Sequence, residues 1–318
     1  MEVQSNNKGY KVTSYIALAV CGLIFCVTIG VAFFCGIKFS KPIIEDMTFR
    51  TPKSSTNGSD YDFAARLFTP RDGKKTHPVI IVSHGYNSTM ENCEDVAEYY
   101  ANKGIAVIVF DFVGGSRNSS TEVHSSEMTA MTEMTDYEIV LDYVKNNDAF
   151  DKDNFFISGQ SFGGLIATAV AERHQDEIRG VILYYPAYYM ADYASEVLAK
   201  GPTKKMTDDD DEDQKSDVNV STENGDLYDW DNLLVSETYL KELSAMDMRG
   251  IIRNLNKDVM VLQGDLDEDV TLESTQSFMP YFPSAKLVII TDGEHGFFDE
   301  QLLQAEQEST KFMNERLR

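Results

Sequence analysis

Residues 155–164 read FFISGQSFGG, and this stretch decides the fold. The apolar run FFIS is typical of a buried strand, and the LIATAVAE that follows the stretch is typical of a small-residue helix. Between them, Gly159 and Gly163 flank Ser161 in a Gly-x-Ser-x-Gly pattern, which indicates a tight turn from strand to helix. A glycine-rich turn that only lets the helix pack closely on the sheet is the alternative. We interpret Ser161 as a nucleophile whose hydroxyl the turn exposes.

Other apolar runs of strand length repeat along the chain on both sides of this turn. They are PVIIVSH (78–84), IAVIVFDF (105–112), GVILYYP (180–186), DVMVLQG (258–264) and KLVIITD (286–292). Segments of helical length lie at 91–103, 126–146, 162–174 and 297–317, and the alternating segments 47–51 and 61–68 predict an opening antiparallel hairpin. Because runs that are apolar throughout suit parallel strands covered on both faces, the pattern predicts an α/β fold with a doubly wound, mostly parallel sheet.

Candidate partners for the serine follow the last two apolar runs. A serine hydroxyl is a weak nucleophile near neutral pH, so it needs a base to take its proton and a carboxylate to orient that base. The segments GDLDEDV (264–270) and GEHGF (293–297) follow consecutive runs, and the carboxyl ends of parallel strands meet at one edge of a sheet. We interpret Ser161, Asp267 and His295 as a catalytic triad, with a histidine that caps the last helix as the alternative for His295. The spacing leaves four neighbouring carboxylates open as the acid: Asp265, Glu268, Asp269 and Asp292.

Two backbone amides are predicted to stabilise the negative oxygen that develops on an attacked carbonyl. Such an oxyanion needs preorganised N–H donors. The segment SHGY (83–86) follows the first buried run, where Gly85 allows close backbone approach and the Tyr86 amide can point into the site. The Phe162 amide comes directly after the nucleophile at a helix N-terminus, where the dipole favours an anion. His84 is interpreted as structural, and this chemistry requires no cofactor.

Charge and composition exclude several classes of function. The chain has 318 residues, 42% of them hydrophobic, so it can bury a core. Its 28 basic and 52 acidic residues give a net charge of −24, which opposes binding to the phosphates of nucleic acid. The 5 histidines are scattered, so we expect no metal site. Cys93 is separated from the other cysteines, all of which lie within residues 15–37, so we expect no disulfide in the folded domain.

Residues 15–37 read YIALAVCGLIFCVTIGVAFFCGI and carry no charged side chain. A helix of this length rises about 1.5 Å per residue and spans a bilayer core of roughly 30 Å. Lysines flank the segment on both sides: Lys8, Lys11, Lys38 and Lys41. We therefore predict an uncleaved signal anchor that crosses the membrane once. Basic groups favour the cytosolic side, and Lys8 and Lys11 together with the α-amino group outweigh Lys38 and Lys41, so we place the catalytic domain on the non-cytosolic side. A cleaved signal peptide is the alternative.

The predicted organisation is a short tail at 1–14, the membrane helix and a catalytic domain at 38–318. One connection in that domain, about 187–257, is longer than a helix and two loops need, so we expect an inserted cap. The cap contains an acidic loop at 207–217, in which residues 208–213 read DDDDED. Six adjacent like charges repel one another and predict a solvated loop, with a calcium site or a partner-binding patch as the alternative.

The motifs together resemble a known family, the α/β-hydrolase serine esterases, and within it the bacterial cinnamoyl and feruloyl esterase-like hydrolases. The similarity runs from about residue 47 to the C-terminus and includes HGY, GQSFGG, GDLDEDV, GEHGF and DFVGGSRNSS (111–120). The resemblance implies an α/β-hydrolase domain in which the insertion forms a lid.

The function expected from the sequence is hydrolysis of small carboxylic esters through an acyl-enzyme on Ser161. One alternative is a serine hydrolase of the aminopeptidase or acylpeptidase type, because serine peptidases of the prolyl-oligopeptidase type are similar in this domain. Another is a membrane-tethered binding module that keeps the fold without catalysis, because fold does not fix function.

Overall fold

A central sheet of eight strands organises the computed structural model, which describes residues 41–51, 60–118, 121, 123–203 and 226–318. The strand order is β1-β2-β4-β3-β5-β6-β9-β10, and a separate pair, β7-β8, lies in the insertion. The strands are β1 (Ile43–Thr51), β2 (Tyr61–Thr69), β3 (His77–Ser83), β4 (Ala106–Phe110), β5 (Phe150–Gln160), β6 (Gly180–Tyr184), β7 (Leu227–Trp230), β8 (Leu233–Ser236), β9 (Val259–Gly264) and β10 (Ala285–Ile290).

The pairing of the strands confirms the α/β fold with a mostly parallel sheet. Strands β3 to β6, β9 and β10 pair in parallel, whereas β1 with β2 and β2 with β4 pair antiparallel. The opening hairpin is the one predicted, with Ile43 opposite Thr69 and Thr51 opposite Tyr61. Because the carboxyl ends of all six parallel strands point the same way, the loops after β3, β5, β9 and β10 meet at one edge.

Successive strand residues feed two separate cores, one on each face of the sheet. On β3, Val79 and Ile81 join one hydrophobic cluster, while Ile80 and Val82 join the other. The sequence of a buried parallel strand is therefore apolar throughout. The prediction that the run 286–292 is covered on both faces is wrong, because β10 is the edge strand and Ile289 is 43% exposed.

Eight α-helices flank the sheet or lie in the insertion among the described residues. They are α1 (Glu94–Asn102), α2 (Ala130–Asn146), α3 (Phe162–Arg173), α4 (Tyr189–Lys200), α5 (Glu237–Ser244), α6 (Met248–Asn254), α7 (Leu272–Phe278) and α8 (Asp299–Asn314). Helices α1 and α8 contribute to one core, whereas α2 to α7 contribute to the other.

Three of these helices begin later than the sequence pattern indicates. Met90–Cys93 forms a 3₁₀ turn before α1. Helix α2 begins at Ala130 because the side chain of Thr129 accepts the Thr132 amide in a capping box. Helix α8 begins at Asp299, since Gly296 with a φ of 75° keeps the residues around His295 in a loop.

The insertion 187–257 is a small helical layer with a hairpin. It holds α4, the β7-β8 hairpin, α5 and α6. Asp231 and Asn232, with φ values of 49° and 62°, form the tight turn between β7 and β8. The acidic loop predicted at 207–217 lies outside the described residues.

The tail at 1–14 and the membrane helix predicted at 15–37 also lie outside the described residues. Among the residues that are described, no helix is long and apolar enough to cross a membrane.

Candidate active site

Ser161 lies in a sharp elbow between β5 and α3, as its glycine-flanked sequence predicts. Its φ is 51°, a left-handed value that is uncommon for a residue with a side chain. A Cβ at Gly159 would lie 2.2 Å from the Gly163 carbonyl oxygen, and one at Gly163 would lie 2.2 Å from the His84 carbonyl oxygen. The Ser161 amide donates to the Tyr184 carbonyl at 2.9 Å. The tight elbow therefore requires glycine at both positions, and a hydrogen bond to β6 anchors it.

The structure brings Ser161, His295 and Asp267 together in one chain of hydrogen bonds. His295 Nε2 lies 3.1 Å from Ser161 Oγ, and His295 Nδ1 lies 2.9 Å from Asp267 Oδ2. Asp267 comes from the loop after β9, and His295 from the loop after β10. This arrangement lets Nδ1–H donate to the carboxylate while Nε2 accepts the serine proton.

Burial distinguishes Asp267 from the neighbouring carboxylates that the sequence leaves open. Its side chain is 0% exposed, whereas Asp265, Glu268, Asp269 and Asp292 are exposed. Asp267 Oδ1 also accepts the amides of Asp269 and Val270, at 3.0 and 2.8 Å. These fixed donors hold the carboxylate towards His295.

Gln263, the penultimate residue of β9, supports the acid and was not singled out by the sequence analysis. Its Nε2 donates to Asp267 Oδ2 at 3.2 Å and to the Val270 carbonyl at 2.8 Å. Its Oε1 accepts the Thr275 hydroxyl at 2.6 Å. A fully buried amide in an apolar strand, four residues before the acid, is the pattern that marks such a residue.

The two amides predicted as oxyanion donors lie on either side of Ser161. Phe162 is the first residue of α3, so its amide has no carbonyl partner within the helix. A Cβ built on Gly85 would lie 3.1 Å from Ser161 Cβ, which places the Gly85–Tyr86 peptide against the nucleophile. Both peptides therefore border the position where a bound carbonyl oxygen would sit.

His84 holds the peptide that carries the Tyr86 amide. Its Nδ1 donates to the Gly85 carbonyl at 2.7 Å, and its Nε2 accepts the Phe112 amide at 3.1 Å. Burial lowers the pKa of His84, which keeps the imidazole neutral and able to accept at Nε2. Because the Gly85 carbonyl and the Tyr86 amide share one peptide plane, His84 orients the amide that is predicted as an oxyanion donor.

Two buried acids on α2 lie behind this region and were missed by the sequence analysis. Burial raises the pKa of Asp136 to about 7, and burial with the nearby Asp136 charge raises the pKa of Glu133 well above its usual range. Asp136 Oδ2 accepts the Val113 amide at 2.9 Å, next to the Phe112 amide that binds His84. Their positions among the apolar residues of the buried helix face were the sequence feature that could have identified them.

Aromatic side chains of the insertion pack against Tyr86 and Phe162, the residues whose amides are predicted as oxyanion donors. Trp230 and Tyr239 lie with ring centroids 5.7 and 6.5 Å from that of Tyr86, and Tyr239 lies 6.3 Å from Phe162. The Tyr86 hydroxyl donates to the Trp230 carbonyl at 3.1 Å. The β7-β8 hairpin and α5 therefore form a wall of the site.

An open groove of about 1080 Å³ borders the other side of His295. Carboxylates of the loop after β9 line it together with Leu266, Leu272 and Gln276. Within the described ranges, no group of three or more His, Cys, Asp or Glu side chains is arranged to hold a metal ion.

Comparison with known proteins identifies the fold and the family. The family model described as Serine aminopeptidase, S33 matches residues 74–301. Est1E from Butyrivibrio proteoclasticus, solved with ferulic acid bound, superposes with a TM-score of 0.66 and 22% identity over 83% of this chain and 98% of that chain. These matches confirm the predicted resemblance to α/β-hydrolase serine esterases.

Two other solved structures share the fold at lower identity. A putative dipeptidyl aminopeptidase IV from Bacteroides ovatus has a TM-score of 0.62 and 18% identity over 87% of this chain and 36% of that chain. Mouse alpha/beta hydrolase domain-containing protein 10 has a TM-score of 0.61 and 16% identity over 85% of this chain and 99% of that chain. Among curated proteins, no sequence matches this chain significantly.

Proposed function

The chain belongs to the family described as Serine aminopeptidase, S33 and is a serine hydrolase of the α/β fold; within that family, we propose that it cleaves carboxylic esters through an acyl-enzyme on Ser161. The observation that carries the proposal is the continuous hydrogen-bond chain from Ser161 Oγ through His295 to the buried carboxylate of Asp267. Its members lie on three different loops, and a serine at a strained elbow with a base in reach is the arrangement that nucleophilic catalysis requires.

The acylation step follows from the positions of the three side chains. Ser161 Oγ attacks the ester carbonyl carbon while His295 Nε2, 3.1 Å away, takes the hydroxyl proton. Asp267 holds the imidazole in the tautomer with a proton on Nδ1 and stabilises the imidazolium. The amides of Tyr86 and Phe162 donate to the oxyanion of the tetrahedral intermediate.

Collapse of that intermediate completes the first half-reaction. The carbon–oxygen bond to the alcohol breaks, and the alkoxide takes the proton from His295 Nε2 and leaves. Water then attacks the acyl carbon with His295 again as base, and Ser161 recovers its proton when the acid departs. The open groove beside His295 gives water and the alcohol access to Nε2.

Hydrolysis of p-nitrophenyl acetate by the purified 318-residue protein tests the proposal. We expect turnover in the wild type and a loss of about 10⁴-fold or more in Ser161→Ala, because the loss of a triad nucleophile removes nearly all chemical acceleration. A fluorophosphonate should label the wild type and not the variant. The matched control is Ser158→Ala, which removes a buried hydroxyl from β5, three residues before Ser161. Equal turnover in Ser161→Ala and the wild type would refute the assignment.

Peptide hydrolysis is the second candidate, and the description of the family favours it. The fold shared with the putative dipeptidyl aminopeptidase IV supports it as well, although this chain spans only 36% of that protein. An aminoacyl p-nitroanilide measured beside the matching aminoacyl p-nitrophenyl ester separates the two. We expect the ester to be hydrolysed far faster; a kcat/KM for the anilide equal to that for the ester would favour the peptidase.

A further inference from the structure

Tyr185, the residue directly after β6, occupies a strained position beside the triad. Its φ is 38°, in the left-handed region that bulky residues rarely adopt. Its amide donates to the Leu262 carbonyl of β9 at 2.7 Å, and its side chain is buried. Strain of this kind persists where the surroundings hold it in place, and it gathers at active sites. The end of β6 thus holds Tyr185 in a backbone conformation that is unfavourable for a residue with a large side chain.

The Tyr185 ring lies against the base of the triad. Its centroid is 4.7 Å from that of the His295 imidazole, with 57° between the ring planes. On another side, Phe297 meets Tyr185 edge-on, with centroids 5.0 Å apart and 88° between the planes. The Tyr185 ring is therefore fixed between His295 and the residue two positions after it.

The same side chain reaches the strand that carries the nucleophile. The Tyr185 hydroxyl donates to Gln160 Oε1 at 3.4 Å, and Gln160 immediately precedes Ser161. The hydrogen bonds to Asp267 and Ser161 act at the two ring nitrogens of His295, and its side chain is 25% exposed along the open groove. Packing from Tyr185 limits the tilt that those two hydrogen bonds leave free.

We propose that Tyr185 is a positioning residue for His295: its ring holds the imidazole where Nε2 meets Ser161 Oγ, and it stabilises the imidazolium that forms when the proton is taken. This inference rests on the proposed serine-hydrolase function. An aromatic ring attracts a cation that lies over its face within about 6 Å of the ring centroid. The centroid of the His295 imidazole lies 4.7 Å from that of Tyr185, with the ring planes tilted by 57°.

Three variants test the role of the ring. Tyr185→Phe keeps the ring and removes the hydroxyl, so it should retain kcat within about twofold. Tyr185→Leu removes the ring, and kcat for p-nitrophenyl acetate should fall about tenfold with KM little changed, less than the roughly 10²-fold that a 1 Å misplacement can cost. Methionine has about the volume of leucine but a longer, more flexible side chain that adapts to irregular gaps, so Tyr185→Met takes the place of the leucine variant if that protein does not fold.

The pH profile of kcat/KM provides the readout that a purely structural role would not move. With the ring removed, the imidazolium is less stable, so the acid limb should move to lower pH in the leucine and methionine variants and stay in place in Tyr185→Phe. The charged groups that face His295 are unchanged in all three variants: Asp267 by hydrogen bond, and Asp265, Glu268, Asp269, Glu273 and Glu294 along the groove.

The outcomes separate this inference from the proposed function. A wild-type kcat and an unmoved acid limb in a folded leucine or methionine variant would overturn the role of Tyr185, even with Ser161→Ala inactive. An equal loss in Tyr185→Phe would overturn it too, because the ring is retained there. Activity that survives in Ser161→Ala would instead overturn the proposed function.

Discussion

The loops that carry the acid and the base of the proposed triad are built differently, although they follow neighbouring strands. The acid loop, residues 265–270, donates two of its own amides to the Asp267 carboxylate, and Gln263 on the adjoining β9 donates a third hydrogen bond. The base loop, residues 291–298, contains Asp292 at a φ of 57° and Gly296 at 75°. His295 remains partly exposed while the Asp267 side chain is fully buried. The acid is thus fixed by its own loop and the strand that leads into it, whereas the base depends on contacts from elements distant in the sequence.

Removing the base or the acid gives the largest expected effect and tests the comparison directly. We expect His295→Ala to lower kcat by about 10⁵–10⁶-fold and Asp267→Asn by about 10⁴-fold, because the acid acts through the base. Steady-state hydrolysis of p-nitrophenyl acetate measures both. Asp269→Asn is the matched control, since its exposed carboxylate lies in the same loop, and it should stay within about twofold. A larger loss in Asp269→Asn than in Asp267→Asn would reverse the assignment of the acid.

Changing His84 tests whether the Gly85–Tyr86 peptide, which carries a proposed oxyanion donor, is held in position by a neighbouring side chain, as the base is. An asparagine amide reaches about as far as Nδ1 and can still donate to the Gly85 carbonyl, whereas a glutamine amide reaches about as far as Nε2 and can only replace the acceptor for Phe112. We expect kcat to fall about 10–100-fold in His84→Gln, less than the loss of a whole donor, with KM little changed.

His84→Asn is the paired variant and should lose less activity than His84→Gln. Thermal unfolding of both proteins provides the stability control. Equal kcat losses in the two variants, in proportion to their losses of stability, would show that His84 only fills space.

Replacing Gln263 tests how firmly the acid loop holds its carboxylate. Gln263→Leu removes the donor to Asp267 and leaves the Thr275 hydroxyl and Val270 carbonyl without their partner. We expect a loss of about 1–3 kcal/mol in the free energy of unfolding, typical of an unsatisfied buried polar group, and a fall in kcat of a few-fold. Urea denaturation and steady-state kinetics measure the two effects. In the control Gln304→Leu, which changes an exposed side chain on α8, neither should change; an unaltered Gln263→Leu protein would contradict the proposed support.

The smallest expected effect on kcat lies away from both loops, at Glu306 on α8. Burial and nearby Asp95 raise its pKa from 4.5 to about 8, so the folded protein keeps a proton there that the unfolded chain releases. The unfolded state binds fewer protons between these values, so this group makes stability fall as pH rises from about 4.5 to 8. Glu306→Gln should raise Tm by several °C at pH 8 relative to the wild type, with little change at pH 4. Calorimetry at both pH values measures this, and an equal Tm difference at both would contradict it; kcat should not change.

The parts of the site that depend on local chain geometry could be predicted from the sequence. Ser161 between two glycines and His295 after the last strand could be found because strand, turn and helix patterns are written in neighbouring residues. Asp267 was the preferred acid, but spacing could not separate it from Asp269, since what distinguishes it is burial in the folded protein. The support from Gln263 and the buried acids Glu133 and Asp136 depends on contacts between elements distant in the sequence.

Other expectations from the sequence were corrected or remain predictions. The run 286–292 is as apolar as a central strand, yet its place at the end of the strand order leaves Ile289 exposed. The helix predicted at 297–317 begins later, because the base loop occupies its first positions. The membrane helix at 15–37, and with it the side of the membrane on which catalysis takes place, stays a prediction.

The position of β10 at the margin of the sheet links catalysis to the outermost strand. One side of β10 pairs with β9, and the loop that follows it carries His295. Marginal strands open more readily than central ones, so heat or denaturant should detach the base while the nucleophile's strand is still intact. The working lifetime of this catalyst is then set by the local opening of a single peripheral strand, and activity should disappear before the bulk of the protein unfolds.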